Sequence, residues 1–369
     1  MSKLVEKESI SKGKSVKDTD GMIGIGIAGC GSVAEVHAEA LQQVDGARLV
    51  TAFSRTLENA RVFGDEYDVD STDEWEEFIG HSGLDLVIIC TPSGTHLDYG
   101  RMAAHAGKHV VVEKPIEITL GRAKSLISIC EERGVELAVI YQNRFLSAVQ
   151  KMKKTIDEGK IGKIHLADAY VKWYRSPDYY QGSWHGTLRY DGGGALINQS
   201  IHTIDLLQWF MGDVDRIYGR IGSFVHPNIE GEDTAVATLD FRSGAIGILE
   251  GATSIIPAQD RRIELHGNQG SAYLRGEEFA LIRSPEDEES SVGEGGSSGA
   301  ESPYSGFSSE PHQHQLGAIV QALREGSPPP VSGEESLKSL AIVRAIYLSA
   351  REGKPVTEIY DEAKPGGTK

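Results

Sequence analysis

The chain has 369 residues, 39% of them hydrophobic and 25% charged. That suits one large or two ordinary soluble domains whose cores need no covalent staples. Lys and Arg number 37 against 54 Asp and Glu, a formal charge of −17, which argues against a nucleic-acid binder or a ligand of anionic membranes, since both need basic surface.

Cys30, Cys90 and Cys130 are too widely spaced for a disulfide framework or a zinc set and fit a reducing cytoplasm. Residues 1–20 carry five lysines and four acids with no apolar stretch. They read as a disordered tail, not a secretory signal, and no apolar run reaches the roughly 18 residues of a membrane span.

From residue 22 the pattern becomes regular. Strands expected at 22–28, 48–53, 86–90, 109–113 and 136–140 alternate with helices at 33–44, 57–67, 96–105 and 120–132, the last capped by Thr119. Nearly continuous apolar strands separated by helices predict a parallel sheet covered on both faces, the α/β Rossmann architecture, over residues 21–143.

The rhythm changes beyond that point. A helix at 148–158, an extended stretch at 163–175 and a helix at 198–211 precede strands at 216–225, 234–241, 245–251, 262–267 and 271–275. Strands joined directly predict a mostly antiparallel, open sheet in an α+β domain over residues 144–369. Within it, 16 of the 27 residues at 284–310 are Gly, Ser or Pro and seven are acidic, which predicts a mobile acidic loop. Helices at 312–324 and 335–352 close the chain.

Gly29-Cys30-Gly31-Ser32-Val33-Ala34 follows the first strand and opens the first helix. In a dinucleotide fingerprint Gly29 makes the tight turn, Gly31 lets the backbone approach the pyrophosphate, and the small Ala34 lets helix and strand pack closely. The helix start at Ser32 and Val33 presents free N–H groups to the phosphates. Residues 24–29 also spell GxGxxG, but in that register the preceding strand would be polar, so the later register is preferred. The second strand ends Phe53-Ser54-Arg55 without the acid that usually holds the ribose 2′-OH of NAD. Ser54 and Arg55 suit a 2′-phosphate, which favours NADP over NAD.

Further motifs coincide: Cys90-Thr91-Pro92 with His96, then Val112-Glu113-Lys114-Pro115, and later Gly192-Gly193-Gly194 leading to Asn198, His202 and Asp205. Together these resemble the Gfo/Idh/MocA family of nicotinamide-dependent oxidoreductases over residues 22–283 and 312–356. The resemblance implies a Rossmann domain followed by an α/β domain whose large open sheet mediates homo-oligomerisation, as a dimer or tetramer. It implies NAD or NADP as cofactor and secondary alcohols of sugars, sugar derivatives or polyols as substrates, with no metal. It assigns Thr91, Pro92, His96, Glu113 and Lys114 to the cofactor site, catalysis to Lys114 and His202, and Arg144 to the cleft.

Lys114 ends a sheet strand where ligands of open α/β sheets bind, and Pro115 restricts its backbone. Asn198, His202 and Asp205 stand at i, i+4 and i+7, so a regular helix would present all three on one face. Asn198 replaces an Asp common in the family. An amide orients a hydroxyl but takes no proton, which leaves His202, with Lys114, as acid–base group and Asp205 to orient the imidazole.

Residues 172–194 concentrate six aromatics with Lys172, Arg175 and Arg189. Trp173, Tyr180 and Trp184 suit stacking on sugar rings or bases, and Lys172 and Arg175 suit phosphate or carboxylate. An oligomer interface is an equally good reading of the same composition. The stretch is most like sugar-nucleotide dehydrogenases of the UDP-N-acetylglucosaminuronate type. His312-Gln313-His314 offers two histidines, an incomplete metal site. A glycosidase using transient oxidation, or a silent dinucleotide-binding regulator, are the competing readings.

Overall fold

The computed structural model describes residues 21–283, 291–292 and 308–360. The expected N-terminal tail and most of the expected acidic loop lie outside the described residues.

The first half alternates strand and helix: β1 (Ile23–Ala28), α1 (Ser32–Leu41), β2 (Ala47–Phe53), α2 (Leu57–Tyr67), β3 (Asp70–Thr72), α3 (Trp75–Ile79), β4 (Leu86–Ile89), α4 (His96–His105), β5 (His109–Val112), α5 (Leu120–Arg133) and β6 (Leu137–Val139). The six strands form one parallel sheet in the order β3-β2-β1-β4-β5-β6, the doubly wound arrangement whose chain reversal beside β1 makes a ligand crevice at the strands' C-terminal ends. The three-residue β3 escapes sequence reading because it is short and polar. Gly24 and Gly26 lie inside β1, where a Cβ would fall 1.6 Å from the Gly83 carbonyl oxygen and 2.8 Å from Leu84. They serve close packing of the strand, in agreement with the later register of the fingerprint. Thr119 caps α5 by accepting from the Arg122 N–H at 3.3 Å.

The second half comprises α6 (Ser147–Asp157), β7 (Ile164–Lys172), the single turn α7 (Pro177–Tyr180), a π-helical turn at Ala195–Ser200, α8 (Ile201–Met211), β8 (Val214–Gly222), β9 (Thr234–Phe241), β10 (Ile246–Ala252), β11 (Arg262–Gly267), β12 (Gly270–Arg275), β13 (Glu278–Ile282), the two-residue β14 (Ser291–Val292), α9 (Glu310–Glu325) and α10 (Gly333–Glu352). The strands form one sheet in the order β14-β13-β12-β11-β7-β10-β9-β8, antiparallel throughout except for β7 with β10. Strand alternation puts Ala167, Ala169, Ala237, Leu239, Leu249, Ile263 and Leu265 into the core. The opposite face leaves Tyr218, Val236, Ile246 and Ile248 exposed.

The two halves share one core. Val87, Val110 and Tyr141 of the first belong to the same buried cluster as Ile204, Leu206 and Leu340 of the second, and the Tyr141 hydroxyl meets Ser339 Oγ at 2.8 Å. The chain also crosses back. α9, which sequence places in the second domain, packs Leu316, Ile319 and Val320 into the cluster beneath β1, and Gln315 bonds the backbone at Val139 and Tyr141. That return carries α9 to the floor of the crevice.

Candidate active site

The cofactor end is built first by the turn after β1. Gly29 has φ +101° and its Cβ position lies 2.9 Å from the Cys90 carbonyl, so only glycine fits. Gly31 caps α1 without a side-chain hydrogen bond, and a Cβ there would meet nothing within 4 Å. The helix start therefore keeps free N–H groups facing open space, as a dinucleotide pyrophosphate requires. Ala34 is buried against β1, completing the expected fingerprint. Ser54 is nearly buried at the end of β2, while Arg55 beyond it is exposed and forms no ion pair among the described residues.

His96 does not face the crevice, a correction to its expected cofactor contact. It is 1% exposed. Its Nδ1 lies 3.0 Å from the Pro115 carbonyl and its Nε2 3.0 Å from the Thr91 carbonyl. It ties the loop after β4, carrying Thr91 and Pro92, to the loop after β5. Glu113 is likewise held from below: Oε1 lies 2.7 Å from His37 Nε2, and Oε2 accepts the Lys114 N–H at 3.1 Å. Burial opposes its charge, but the His37 hydrogen bond prevails and brings the carboxyl down to about 2. The His312 ring packs edge-on to His37 at 5.1 Å. His312 thus groups with His37 and Glu113 rather than with His314.

Lys114 bridges the two halves of the molecule. Its Nζ donates to the Asn198 carbonyl at 3.0 Å across 84 residues of sequence. Burial lowers its pKa, opposed by Glu113 and Asp191 and reinforced by Arg175.

Opposite stands the glycine-rich segment. Gly192 needs φ +81°, a Cβ on Gly193 would fall 2.2 Å from the Tyr347 hydroxyl, and one on Gly194 would fall 1.9 Å from the Glu232 carbonyl oxygen. Glu232 clasps the segment: its carboxylate accepts N–H groups of Gly194 and Leu196 and the Tyr347 hydroxyl, at 3.1, 2.7 and 3.0 Å. Burial raises it to about 7.

The π-helical turn then shifts the helix register, and the expected one-face trio does not form. The Asn198 side-chain amide donates to Asp191 Oδ1 at 2.7 Å, and its Oδ1 accepts from Gln199 at 2.9 Å. His202 packs edge-on to Tyr141, and its buried Nδ1 has no hydrogen-bond partner. Burial, with Lys114 adding to it, pushes His202 well below the ordinary histidine range. Asp205 does not orient it, a second correction. Both Asp205 oxygens are taken by Arg144, whose Nε and Nη2 donate at 2.7 and 2.8 Å. Arg144 also pairs with Glu335. At 4% exposure, with two carboxylates bound, it ties the start of the second domain to α8 and α10 and does not line the cleft, a third correction.

The aromatic segment divides. Lys172 points to the open sheet face, paired with Glu250 at 2.9 Å, and so lies apart from the site, a fourth correction. Trp173 is buried beside Val171. Arg175 lies 5.1 Å from the Trp173 ring and donates to Gln199 Oε1 at 2.7 Å. Tyr180 donates to Thr253 at 2.9 Å. Trp184 stacks on His185 at 4.2 Å, and burial together with Lys114 and Arg175 brings His185 down to about 4. The charge of Arg175 is thus felt at Lys114 and both charges at His185, on which Trp184 stacks. Sequence reasoning missed His185, Asp191, Glu232 and His37, although Asp191 directly precedes the three glycines.

The Gfo/Idh/MocA oxidoreductase family matches in two parts, its NAD-binding Rossmann fold at residues 23–141 and its C-terminal alpha/beta domain at residues 153–357. The WlbA dehydrogenase from Bordetella pertussis, solved in complex with NADH and UDP-GlcNAcA, is 30% identical with a TM-score of 0.79, over 91% of this chain and 98% of its own. Two Bacillus subtilis proteins are also similar. The scyllo-inositol 2-dehydrogenase (NADP(+)) IolW is 29% identical over 94% of this chain and 98% of its own. The scyllo-inositol 2-dehydrogenase (NAD(+)) is 28% identical over 89% and 94%.

The ion pair yields a direct test of one reassignment. Asp205→Ala strands a buried guanidinium and is expected to cost about 3–5 kcal/mol in urea unfolding. An unchanged unfolding midpoint with lost turnover would return Asp205 to the reaction.

Proposed function

The chain belongs to the Gfo/Idh/MocA oxidoreductase family, is accordingly an NAD(P)-dependent dehydrogenase acting on hydroxyl groups of sugars or polyols, and, we propose, oxidises a secondary alcohol on the acidic sugar of a sugar nucleotide. The substrate class rests on the likeness to the UDP-GlcNAcA complex, which spans 98% of that protein, and on the half-buried aromatic pair Trp184 and His185, which senses the charges of Lys114 and Arg175. The observation that carries the reaction is the half-buried Lys114 amine, held between the strand ends and the Asn198 carbonyl.

The free N–H groups at Ser32 and Val33 and the glycines before them fit a dinucleotide, which when bound supplies the hydride acceptor. The residues' task is the proton. The hydroxyl's O–H bond breaks as the carbinol hydride leaves, so a base must stand within hydrogen-bond reach, with a pKa near the working pH. Burial moves Lys114 toward that range and His202 away from it. Lys114 therefore replaces His202 as the group that takes the proton. His202 stays neutral and holds the hydroxyl by hydrogen bonding, and Asn198 fixes its direction.

For the cofactor, Ser54 and the exposed Arg55 at the end of β2 support NADP. The exposed apolar face with Tyr218, Val236, Ile246 and Ile248 supports association of copies through the second sheet. Among the described residues no helix is long and apolar enough to cross a membrane.

A panel of sugar nucleotides, free sugars and inositols, followed by reduced-nicotinamide absorbance, tests the reading. Turnover is expected with uronate nucleotides, and sugar cleavage without net reduction would favour the glycosidase. Lys114→Ala should lower kcat by about 10²–10⁴-fold, with a smaller loss for His202→Ala. The reverse order would restore His202 as base. Arg55→Ala should weaken NADP by about 1.5–3 kcal/mol and leave NAD unchanged in titration calorimetry. Equal losses for both cofactors would remove the NADP assignment.

A further inference from the structure

Asp191 stands seven residues before Asn198, at the entry to the glycine segment, and is 1% exposed. Its Oδ1 accepts the Asn198 side-chain amide at 2.7 Å, and its Oδ2 accepts the Gly186 N–H at 2.7 Å. Asn198 in turn gives its main-chain carbonyl to Lys114 Nζ. A short chain of contacts thus runs from a buried carboxylate, through one asparagine, to the amine. Among the described residues no lysine or arginine forms a direct ion pair with Asp191, so its charge is compensated across that bridge.

The groups that face Lys114 set what this charge can do. Glu113, on the amine's own loop, is already engaged by His37 and by the Lys114 N–H. Arg175 approaches with like charge, and His185, His202 and His312 are all made less basic by burial and by Lys114. Glu232 and Tyr180 flank Asp191 itself. Asp191 is therefore the carboxylate on the Asn198 side of the amine. The influence is mutual: burial pushes Asp191 up to about 7 while Lys114 holds it down, and Asp191 holds Lys114 up against its own burial.

Resting on the reading that Lys114 takes the proton, we propose that Asp191 is the positioning carboxylate of this site, orienting Asn198 and supplying the counter-charge under which Lys114 accepts the substrate's hydroxyl proton. On oxidation the substrate O–H bond breaks and an N–H bond forms at Nζ, while the carbinol hydride leaves to the oxidised dinucleotide. The new ammonium faces a carboxylate instead of an uncompensated low-dielectric pocket. In the reductive direction the same ammonium returns the proton to the carbonyl oxygen.

The test compares wild type with Asp191→Asn and Asp191→Glu by two readouts. The first is the pH dependence of Lys114 acylation by acetic anhydride, read by mass spectrometry on the full chain without substrate. The second is the pH profile of kcat for oxidation. Asp191→Asn should move the Lys114 titration and the acidic limb of kcat to lower pH by about one unit, because only burial then acts from that side. Asp191→Glu should restore much of both. Should Asp191→Asn fail to fold, Asp191→Ser, neutral and smaller, carries the same expectation. A Lys114 titration identical in the neutral variant and wild type, with a rate loss equal at every pH, would overturn the proposal and leave Asp191 a structural residue. If wild type turned over no sugar or sugar nucleotide, the functional reading would fail, and the acylation arm would still decide the Asp191 counter-charge.

Discussion

One amine partly withdrawn from water governs the arrangement of this site. Burying an ammonium is costly unless neighbouring groups compensate it or it gives up its proton. The compensation for Lys114 comes from both halves of the chain: Glu113 beneath it, and the Asn198 carbonyl with Asp191 across the crevice. Neither half alone makes the environment. The buried cluster that the first sheet shares with α8 and α10 holds the halves at the distance that the Lys114–Asn198 contact needs.

The opposite wall is shaped by close approach more than by side-chain chemistry. Gly193 and Gly194 admit Tyr347 and the Glu232 backbone at separations where a methyl group would collide. The Glu232 carboxylate then closes on the segment's N–H groups. The π-helical turn that follows turns Asn198 toward Asp191 and leaves Asp205 to Arg144. π-turns recur at functional sites because they re-aim a few side chains without ending the helix. His202 and Asp205 both lie in the regular helix after the turn, and it is Arg144 that takes the Asp205 carboxylate.

The parallel sheet and the fingerprint at Gly29–Ala34 were legible because strand periodicity and glycine placement are local properties. The same holds for the Thr119 cap and for the end of β5 at Lys114. What was not legible depends on contacts distant in sequence. Arg144 reads as a cleft cation until Asp205 and Glu335 are seen to bind it, 61 and 191 residues away. Lys172 reads as a substrate group until strand alternation turns it to the open face with Glu250. The i, i+4, i+7 reading of Asn198, His202 and Asp205 assumed α geometry, and no residue in Ala195–Ser200 signals the π turn. Asp191 carried a faint signal, a lone acid before three glycines, but its partner was an amide rather than a charge.

In the proposed mechanism Lys114, and not His202, exchanges the proton of the reacting hydroxyl. The most direct measurement is a crystal structure of the ternary complex with reduced cofactor and a uronate sugar nucleotide. The oxidisable hydroxyl is expected within about 2.6–3.2 Å of Lys114 Nζ, with the Asn198–Asp191 contact intact. A hydroxyl bound to His202 alone, with the Lys114 amine still turned to the Asn198 carbonyl, would contradict it.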